Sequence, residues 1–190
     1  MSVQETLLFS NDFISSEVQA SLPKCYTLRP LSIDDYERGF FDILSVFNDI
    51  GELSKDQFLG RYFTLTAIKC ITLLKINKFL ERFNYMKARQ DEYFVVVIIS
   101  PEDRVIGTGA IFVEHKFIFN AGRVGHIEDV AIDTNHQGKH FGSSIVQALK
   151  YIGVKIGCVK AILDCSVENI PFYEKCGLQN SGIEMSCDFR

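Results

Sequence analysis

The sequence predicts an α/β fold with a mixed, mostly antiparallel central sheet flanked by helices. Apolar runs between residues 93 and 133 are separated by short turn sequences, as in consecutive antiparallel strands. After residue 133 helix and strand patterns alternate, which is typical of crossover connections and adds parallel pairing. With 190 residues, 47% of them hydrophobic, the chain is long enough to bury the core of one domain.

The first elements are predicted upstream of the main sheet. Residues 26–31, YTLRPL, are predicted to form a short strand that ends at Pro30. Residues 32–51 form a helix capped by Ser32, with two aspartates in its first turn and Gly51 at its end. Apolar residues at helical spacing give this helix one buried face.

The next region departs from a simple helix. A second helix opens with Ser54 as its cap, and helical periodicity returns over 81–90. Removing residues 60–80 joins the two halves as one amphipathic helix, so we predict an insertion there. Residues 1–24 are expected to form a variable, loosely ordered lead-in, which leaves 25–190 as a single domain.

The main sheet and its flanking helices follow in order. The run YFVVVIIS is rich in β-branched residues and is followed by the turn PEDR, which predicts a hairpin with the next strand. The predicted elements are strands over 93–100, 105–118 and 122–133, a helix over 143–157, a strand over 160–167, a short helix over 169–177 and a last strand over 183–189.

Composition excludes several classes of protein. The net charge of -4 argues against a nucleic-acid binder, which normally carries a basic excess. The six cysteines include no CxxC pair and no histidine at zinc-finger spacing, so we expect reduced thiols and no metal. We find neither a secretory signal nor a convincing membrane span, and we expect a cytoplasmic protein.

The stretch AIDTNHQGKHFGSSIV, residues 131–146, runs from a strand through two glycines into a helix. Such a turn leaves backbone N–H groups aimed at an anion. A P-loop fails here, because Asp133 stands where its first glycine belongs and His140 where its hydroxyl belongs. The spacing of Gly138 and Gly142 also fails the dinucleotide fingerprint. An ordinary strand-to-helix turn is the simpler alternative.

The loop QGKHFG, residues 137–142, resembles the pyrophosphate loop of the GCN5-related N-acetyltransferase (GNAT) superfamily, Gln/Arg-x-x-Gly-x-Gly/Ala. The resemblance implies that backbone amides here hold the pyrophosphate of coenzyme A. His140 departs from the pattern, since it occupies the first glycine position. We expect its N–H to face the phosphates and its ring to point to solvent; a positive φ would reopen the identification.

Two further stretches carry the same resemblance. GHIEDVAID precedes the loop and is similar to the acetyl-CoA strand of the superfamily, and ILDCSVENIPFYEKCGL follows the helix and contains N-x-x-[FY]-Y-x-x-x-G. Together with LRPL, RGFF and EHKFI, these words are similar to the small dimeric members that acetylate glucosamine 6-phosphate in UDP-N-acetylglucosamine biosynthesis. The resemblance covers roughly residues 26–59 and 81–187. It implies a homodimer that uses acetyl-CoA as cosubstrate.

The resemblance also implies which residues form the site. Catalysis is assigned to Tyr173, as proton donor to the leaving thiolate, and to Asp164 and Glu128, which orient and deprotonate the amine. The expected coenzyme site comprises Glu128, Asp129, Val130, Ala131, Ile132, Gln137, Gly138, Lys139, His140, Phe141, Gly142, Ser143, Asn169 and Tyr173. The expected sugar-phosphate site comprises Asn48, Lys116, Phe117, Ile118, Phe119, Glu128, Asp129, Asp164 and Arg190.

Structural roles remain open for several of these residues. Asp164 can instead be a carboxylate bonded to backbone on a core strand, Tyr173 a packing residue, and Asn169 a helix cap. Arg190 stands two residues beyond the position where the resemblance places an arginine that reaches the partner subunit. Two other functions are also compatible with the sequence: acetylation of another amine, such as a peptide or polyamine, and coenzyme A binding without turnover.

Overall fold

The computed structural model describes residues 6–47, 65–187 and 189, with the side chains of 47 and 65–74 excepted. The strands are β1 (Thr27–Pro30), β2 (Tyr93–Ile99), β3 (Val105–His115), β4 (Arg123–Ile132) and β5 (Cys158–Ile162). The helices are α1 (Ser16–Ser21), α2 (Phe40–Leu44), α3 (Leu65–Lys87), α4 (Phe141–Lys155) and α5 (Ile170–Lys175).

The five strands form one sheet in the order β1-β2-β3-β4-β5. The first three pairs are antiparallel, and β4 and β5 are parallel because α4 forms the crossover between them. The predicted fold class, a mixed and mostly antiparallel sheet flanked by helices, is therefore confirmed.

Helix α4 packs directly on the middle of the sheet. Its residues Ile145, Leu149 and Ile152 are fully buried. Gly109 on β3 permits this close approach, because a Cβ atom there would lie 2.5 Å from a methyl group of Ile145. The helix is therefore held at a fixed height above β3 and β4, and its N-terminus with it.

The N-terminal segment belongs to the core, which corrects the expectation of a loosely ordered lead-in. Leu8 is fully buried and Phe9 is 4% exposed. The amide of Leu8 donates to the carbonyl of Leu31. Gln19 on α1 bonds to the outer edge of β1: its Nε2 donates to the Tyr26 carbonyl, and its Oε1 accepts from the amide of Leu28. Residues before Thr6 lie outside the described part.

The predicted helix over 32–51 is wrong as a single element. A short 3-10 turn, Ile33–Tyr36, is separated from α2 by Gly39, whose φ of 89° breaks the helical path. The cap is confirmed, because Ser32 and Asp35 form a reciprocal capping box. Ser54, Gly51 and most of the predicted second helix lie outside the described residues.

Helix α3 differs from the predicted interruption before residue 81. It runs continuously from Leu65 to Lys87. Phe79, within the predicted insertion of residues 60–80, is 4% exposed and packs against Phe40 with ring centres 5.9 Å apart. The end of the proposed insertion is therefore part of the packed domain, while the insertion itself stays a prediction.

The C-terminal region has less strand than predicted. Strand β5 ends at Ile162 rather than at 167, and the predicted last strand over 183–189 is absent from the described residues, 183–187 and 189. Ile183 and Met185 are each 94% exposed. Their alternating apolar pattern has no pairing partner within the described chain, so the pattern alone did not produce a strand here.

Candidate active site

A bulge in β4 opens the backbone at the predicted acetyl-CoA strand. Ala110 pairs with Glu128 and Thr108 with Ala131, so two residues of β4 face the single residue Gly109 of β3. Asp129 adopts a φ of 55°, a conformation that aspartate tolerates better than most side chains. The bulge interrupts the β3–β4 ladder, so that the extra residue of β4 has no partner residue on β3.

On its other side, β4 separates from β5. Their parallel pairing runs from Arg123 with Cys158 to His126 with Ile162 and does not continue beyond that point. Glu128 and Asp164 therefore lie on diverging chain segments, each two residues past the last pair. The divergence leaves a wedge-shaped opening between the two segments, with the bulge on one wall.

The glycine loop forms the floor of a cavity of about 460 Å³ beside this opening. Residues of the loop and of the start of α4 line it, together with side chains from α5. The lining residues are Val130, Ile132, His136, Gln137, Gly138, His140, Phe141, Gly142, Ser143, Asn169, Phe172, Tyr173, Lys175 and Cys176. The first-turn N–H groups of α4 have no intrahelical acceptor, so the cavity offers donors and a positive helix end to an anion.

His140 corrects one expectation about this loop. It caps α4 with a φ of 65°, in the left-handed region, and its side chain is exposed. The GNAT loop pattern has glycine at this position, and glycine adopts that conformation without strain. The loop therefore has the backbone conformation of a glycine loop, although a histidine occupies this position. The positive φ agrees with an anion-binding loop rather than excluding one.

Small size at Gly142 keeps the cavity open. A Cβ atom there would lie 3.2 Å from the ring of Phe172 on α5. Beneath the loop, Phe141 is buried, and its ring centre lies 4.8 Å from that of Tyr26. His136 is held by Asp133, whose Oδ1 lies 3.0 Å from Nδ1. The loop is thus anchored by packing on one side and by a polar contact on the other.

Carboxylates gather on both walls of the opening, Glu128 and Asp129 on β4 and Asp164 just after β5. Burial raises the pKa of Glu128, and the neighbouring charges of Asp129 and Asp164 raise it further. Burial also raises the pKa of Asp129. Glu184 adds to the negative field at Glu128. A site of this charge attracts a cationic amine, and a carboxylate with a raised pKa is a better proton acceptor.

Tyr173 stands between two cavities. It lines the 460 Å³ cavity of the loop and a groove of about 760 Å³ lined by Asp164 and Glu184. Burial raises the pKa of its phenol, with smaller contributions from Cys165, Cys176 and Glu128. A raised pKa keeps the phenol protonated, as a proton donor must be. The charge of Glu128 thus reaches Tyr173, while the catalytic roles of both residues stay predictions.

The structure does not bring the predicted phosphate residues into this site. Lys116 lies beyond the end of β3, and its Nζ bonds Glu114 at 2.5 Å. Residues 117–119 are exposed, and neither they nor Lys116 line the two cavities. Asn48, Asp188 and Arg190 lie outside the described residues, so their predicted roles stay predictions.

Asn169 does not act as the side-chain cap that the sequence left open. It precedes α5, but its side chain makes no capping hydrogen bond, and it lines the cavity of the loop. Ala131, by contrast, is 5% exposed and contributes by packing. Lys139 is exposed, and its Nζ lies 3.4 Å from the carbonyl of Asn135.

Sequence reasoning missed several residues of the cavity wall. Phe172, Lys175 and Cys176 come from α5 and its end, and Cys176 Sγ lies 3.8 Å from the hydroxyl of Ser143. The motif N-x-x-[FY]-Y-x-x-x-G contains these positions, so their spacing on one short helix could have identified them. In the described ranges, no group of three or more metal-ligating side chains occurs, and no helix there is both long and apolar enough to cross a membrane.

A bulged strand, a strand divergence beside it and a cavity at the start of the next helix are the arrangement expected of an acetyltransferase of the GNAT class. The chain belongs to the Acetyltransferase (GNAT) family, whose sequence model matches residues 58–178.

The names of similar proteins state a substrate, which the family model does not. Glucosamine 6-phosphate N-acetyltransferase 1 of Dictyostelium discoideum is 38% identical over 84% of this chain and 88% of its own length. Glucosamine 6-phosphate N-acetyltransferase of Candida albicans is 36% identical over 88% of this chain and 99% of its own. The crystal structure of glucosamine-6-phosphate N-acetyltransferase from Arabidopsis thaliana is 33% identical, with a TM-score of 0.72 over 87% of this chain and 99% of that chain.

Proposed function

We propose that this protein transfers the acetyl group of acetyl-CoA to the amine of D-glucosamine 6-phosphate, as part of UDP-N-acetylglucosamine biosynthesis. The Dictyostelium and Candida relatives are named for this substrate, and each aligns with this chain over most of both sequences. The observation that carries the chemistry is the position of Tyr173 at the junction of the anion cradle and the carboxylate groove. Donor and acceptor substrates approaching from these two sides meet at its phenol.

The residues present fit coenzyme A. Loop residues from Gln137 to Ser143 surround a cavity large enough for a pyrophosphate, and Gly142 keeps it clear of Phe172. Backbone donors at the bulge, around Asp129 and Val130, extend the site along β4. When bound, acetyl-CoA supplies a thioester whose thiolate is the leaving group.

Glu128, with Asp129 and Asp164 beside it, attracts the ammonium of the sugar and takes its proton. The raised pKa of Glu128 suits this role, because a carboxylate with a pKa nearer neutrality removes a proton more effectively. Backbone N–H groups at the bulge donate to the oxygen that gains charge during transfer. Tyr173 gives its phenolic proton to the departing sulfur and regains a proton when the nitrogen loses its second one on becoming an amide. No cysteine acts as nucleophile in this direct transfer.

We assign the sugar phosphate to Lys116 and the backbone of residues 117–119, with Asn48 and Arg190 as further contacts. The sequence resemblance supports this assignment, which places the phosphate outside the two cavities. We also infer a cytoplasmic homodimer. Its support is the exposure of large apolar side chains, including Phe117, Ile183 and Met185, which a second copy would cover. Sedimentation at micromolar concentration tests this state, and a single monomeric species would contradict it.

The activity is tested by mixing the protein with acetyl-CoA and glucosamine 6-phosphate and following thiol release. We expect turnover with the phosphorylated sugar and much slower release with unphosphorylated glucosamine or a polyamine. Faster turnover of the polyamine would make the protein an acetyltransferase for another amine. Coenzyme binding by calorimetry without release from any amine would make it a binding protein.

A further inference from the structure

A polar row runs along one face of the sheet from Lys116 to Glu128. Phe112 and Glu114 alternate with Ile111 and Val113 on β3, and His126 pairs with Phe112 across the ladder. Ile111 packs towards α4, so Phe112, Glu114, His126 and Glu128 share the face that points away from that helix.

Glu114 is the centre of this row. Its Oε1 lies 2.5 Å from Lys116 Nζ, and its Oε2 lies 2.9 Å from His126 Nε2. Lys116 and His126 together lower the pKa of Glu114, with the lysine contributing most. An ionised carboxylate only accepts hydrogen bonds, so we assign the hydrogen to Nε2 of His126, whose N–H donates a hydrogen bond to Glu114.

The two partners of Glu114 are themselves held. The ring of His126 stacks on Phe112 with centres 4.5 Å apart and planes 22° from parallel. The backbone amide of Lys116 donates to the carbonyl of Gly122, which closes the loop after β3. Glu114 thus joins a fixed ring on β4 to a lysine side chain that otherwise has several freely rotating bonds.

We propose that Glu114, braced by His126, is a positioning residue that holds the Lys116 ammonium for the sugar phosphate; this rests on the proposed function. His126 lies two positions before Glu128 on the same strand face, about 7 Å along β4. The row therefore links the group that receives the amine to the cation that receives the phosphate. A lysine already ordered in this way loses less conformational entropy when the phosphate binds.

The test compares Glu114→Gln with wild type by steady-state kinetics, using Glu102→Gln on the exposed β2–β3 turn as the matched control. We expect Glu114→Gln to raise KM for glucosamine 6-phosphate about tenfold with kcat within about twofold, because only ground-state positioning is lost. The control should leave both constants unchanged, and the coenzyme affinity of Glu114→Gln, measured by calorimetry, should equal that of wild type.

A double-mutant cycle with Lys116→Ala completes the test. If Glu114 acts through Lys116, adding Glu114→Gln to Lys116→Ala changes KM no further. Additive effects, a lowered KM in Glu114→Gln, or a parallel loss of kcat and coenzyme affinity would overturn the inference. Wild-type protein without turnover of glucosamine 6-phosphate would overturn the proposed function and the inference together, whereas an active wild type with an unchanged mutant KM would overturn the inference alone.

Discussion

At the scale of single residues, the site depends on side chains whose neighbours alter their acidity. Tyr173 is half-buried, its ring centre is 4.9 Å from that of Phe172, and burial raises the pKa of its phenol. Packing and the proposed catalytic role are therefore compatible. The same burial that fixes the ring also keeps the phenol protonated, as the proposed proton donor must be.

Replacing Tyr173 by Phe keeps the ring and removes the proton. We expect kcat to fall about 100-fold or more, as for loss of a general acid, while coenzyme affinity stays within about threefold. Thiol-release assays measure kcat, and calorimetry measures the coenzyme affinity. Tyr151→Phe, on the exposed surface of α4, is the control and should leave kcat unchanged. Equal turnover in both variants would show that Tyr173 only packs.

His140 offers a test of backbone strain. Its φ of 65° costs a residue with a Cβ about 1–2 kcal/mol, whereas glycine adopts it freely but loses about 0.5–1 kcal/mol in chain entropy. We expect His140→Gly to raise the free energy of unfolding by up to about 1 kcal/mol. His140→Val should lower it, since β-branched residues avoid this region. Denaturant titrations measure both.

The coenzyme affinity of His140→Gly separates backbone from side chain. If the N–H groups of the loop hold the phosphates, the dissociation constant of coenzyme A should stay within about threefold of wild type, because the donors are unchanged. A tenfold weakening would instead show that the imidazole contacts the ligand.

At the scale of elements, the bulged strand β4 carries charges that oppose folding. Because burial and neighbouring carboxylates raise the pKa of Glu128, its ionised form is less stable in the fold than in the unfolded chain. Its contribution to stability is complete below the ordinary carboxyl pKa and is lost as the pH rises through the raised value. At neutral pH the site is therefore maintained at a cost in stability.

Glu128→Gln removes this charge while preserving the shape of the side chain. We expect a higher Tm than wild type at pH 7. The gain should disappear below about pH 4, where Glu128 of the wild type is protonated in both the folded and the unfolded state. Scanning calorimetry over this range measures the difference. Activity should fall by about 100-fold or more. A lower Tm at pH 7 would show that the carboxylate stabilises the fold.

Sequence patterns anticipated these elements unevenly. The strand β2 and the helix α4 were predicted within a few residues. A strand buried on both faces is a continuous β-branched run, whereas burial of one helix face imposes a strict period. The bulge at Asp129 and the left-handed cap at His140 were not anticipated, because tertiary pairing sets them and neither residue type requires them. The predicted helix over 32–51 failed at Gly39, whose ability to adopt a positive φ leaves no mark in apolar periodicity.

At the scale of the whole molecule, the N-terminal segment connects distant parts of the chain. Lys87 at the end of α3 donates to the Leu7 carbonyl, and Lys155 at the end of α4 donates to the Asp12 carbonyl. Phe9 packs edge-on against Phe94 of β2, with ring centres 5.0 Å apart. The segment therefore spans the sheet and two helices, which no local sequence pattern indicated.

Leu8→Ala tests whether this connection stabilises the fold. Leu8 is fully buried, so we expect a loss of about 2–5 kcal/mol in the free energy of unfolding. Val154→Ala, at a site 77% exposed on α4, should change it by less than about 0.5 kcal/mol. Urea titrations give both values. A loss for Leu8→Ala no larger than the control would mean that the segment only rests on the surface.

The side chain of Gln19 has a further consequence for the chain in solution. Strand β1 ends the sheet, and an uncovered outer edge invites pairing with strands of other molecules. Gln19 occupies a donor and an acceptor of that edge, at Leu28 and Tyr26, as a neighbouring strand would. The side chain of Gln19 thus blocks extension of the sheet by a strand of another molecule. We expect a chain that lacks this side chain to form intermolecular β-aggregates more readily.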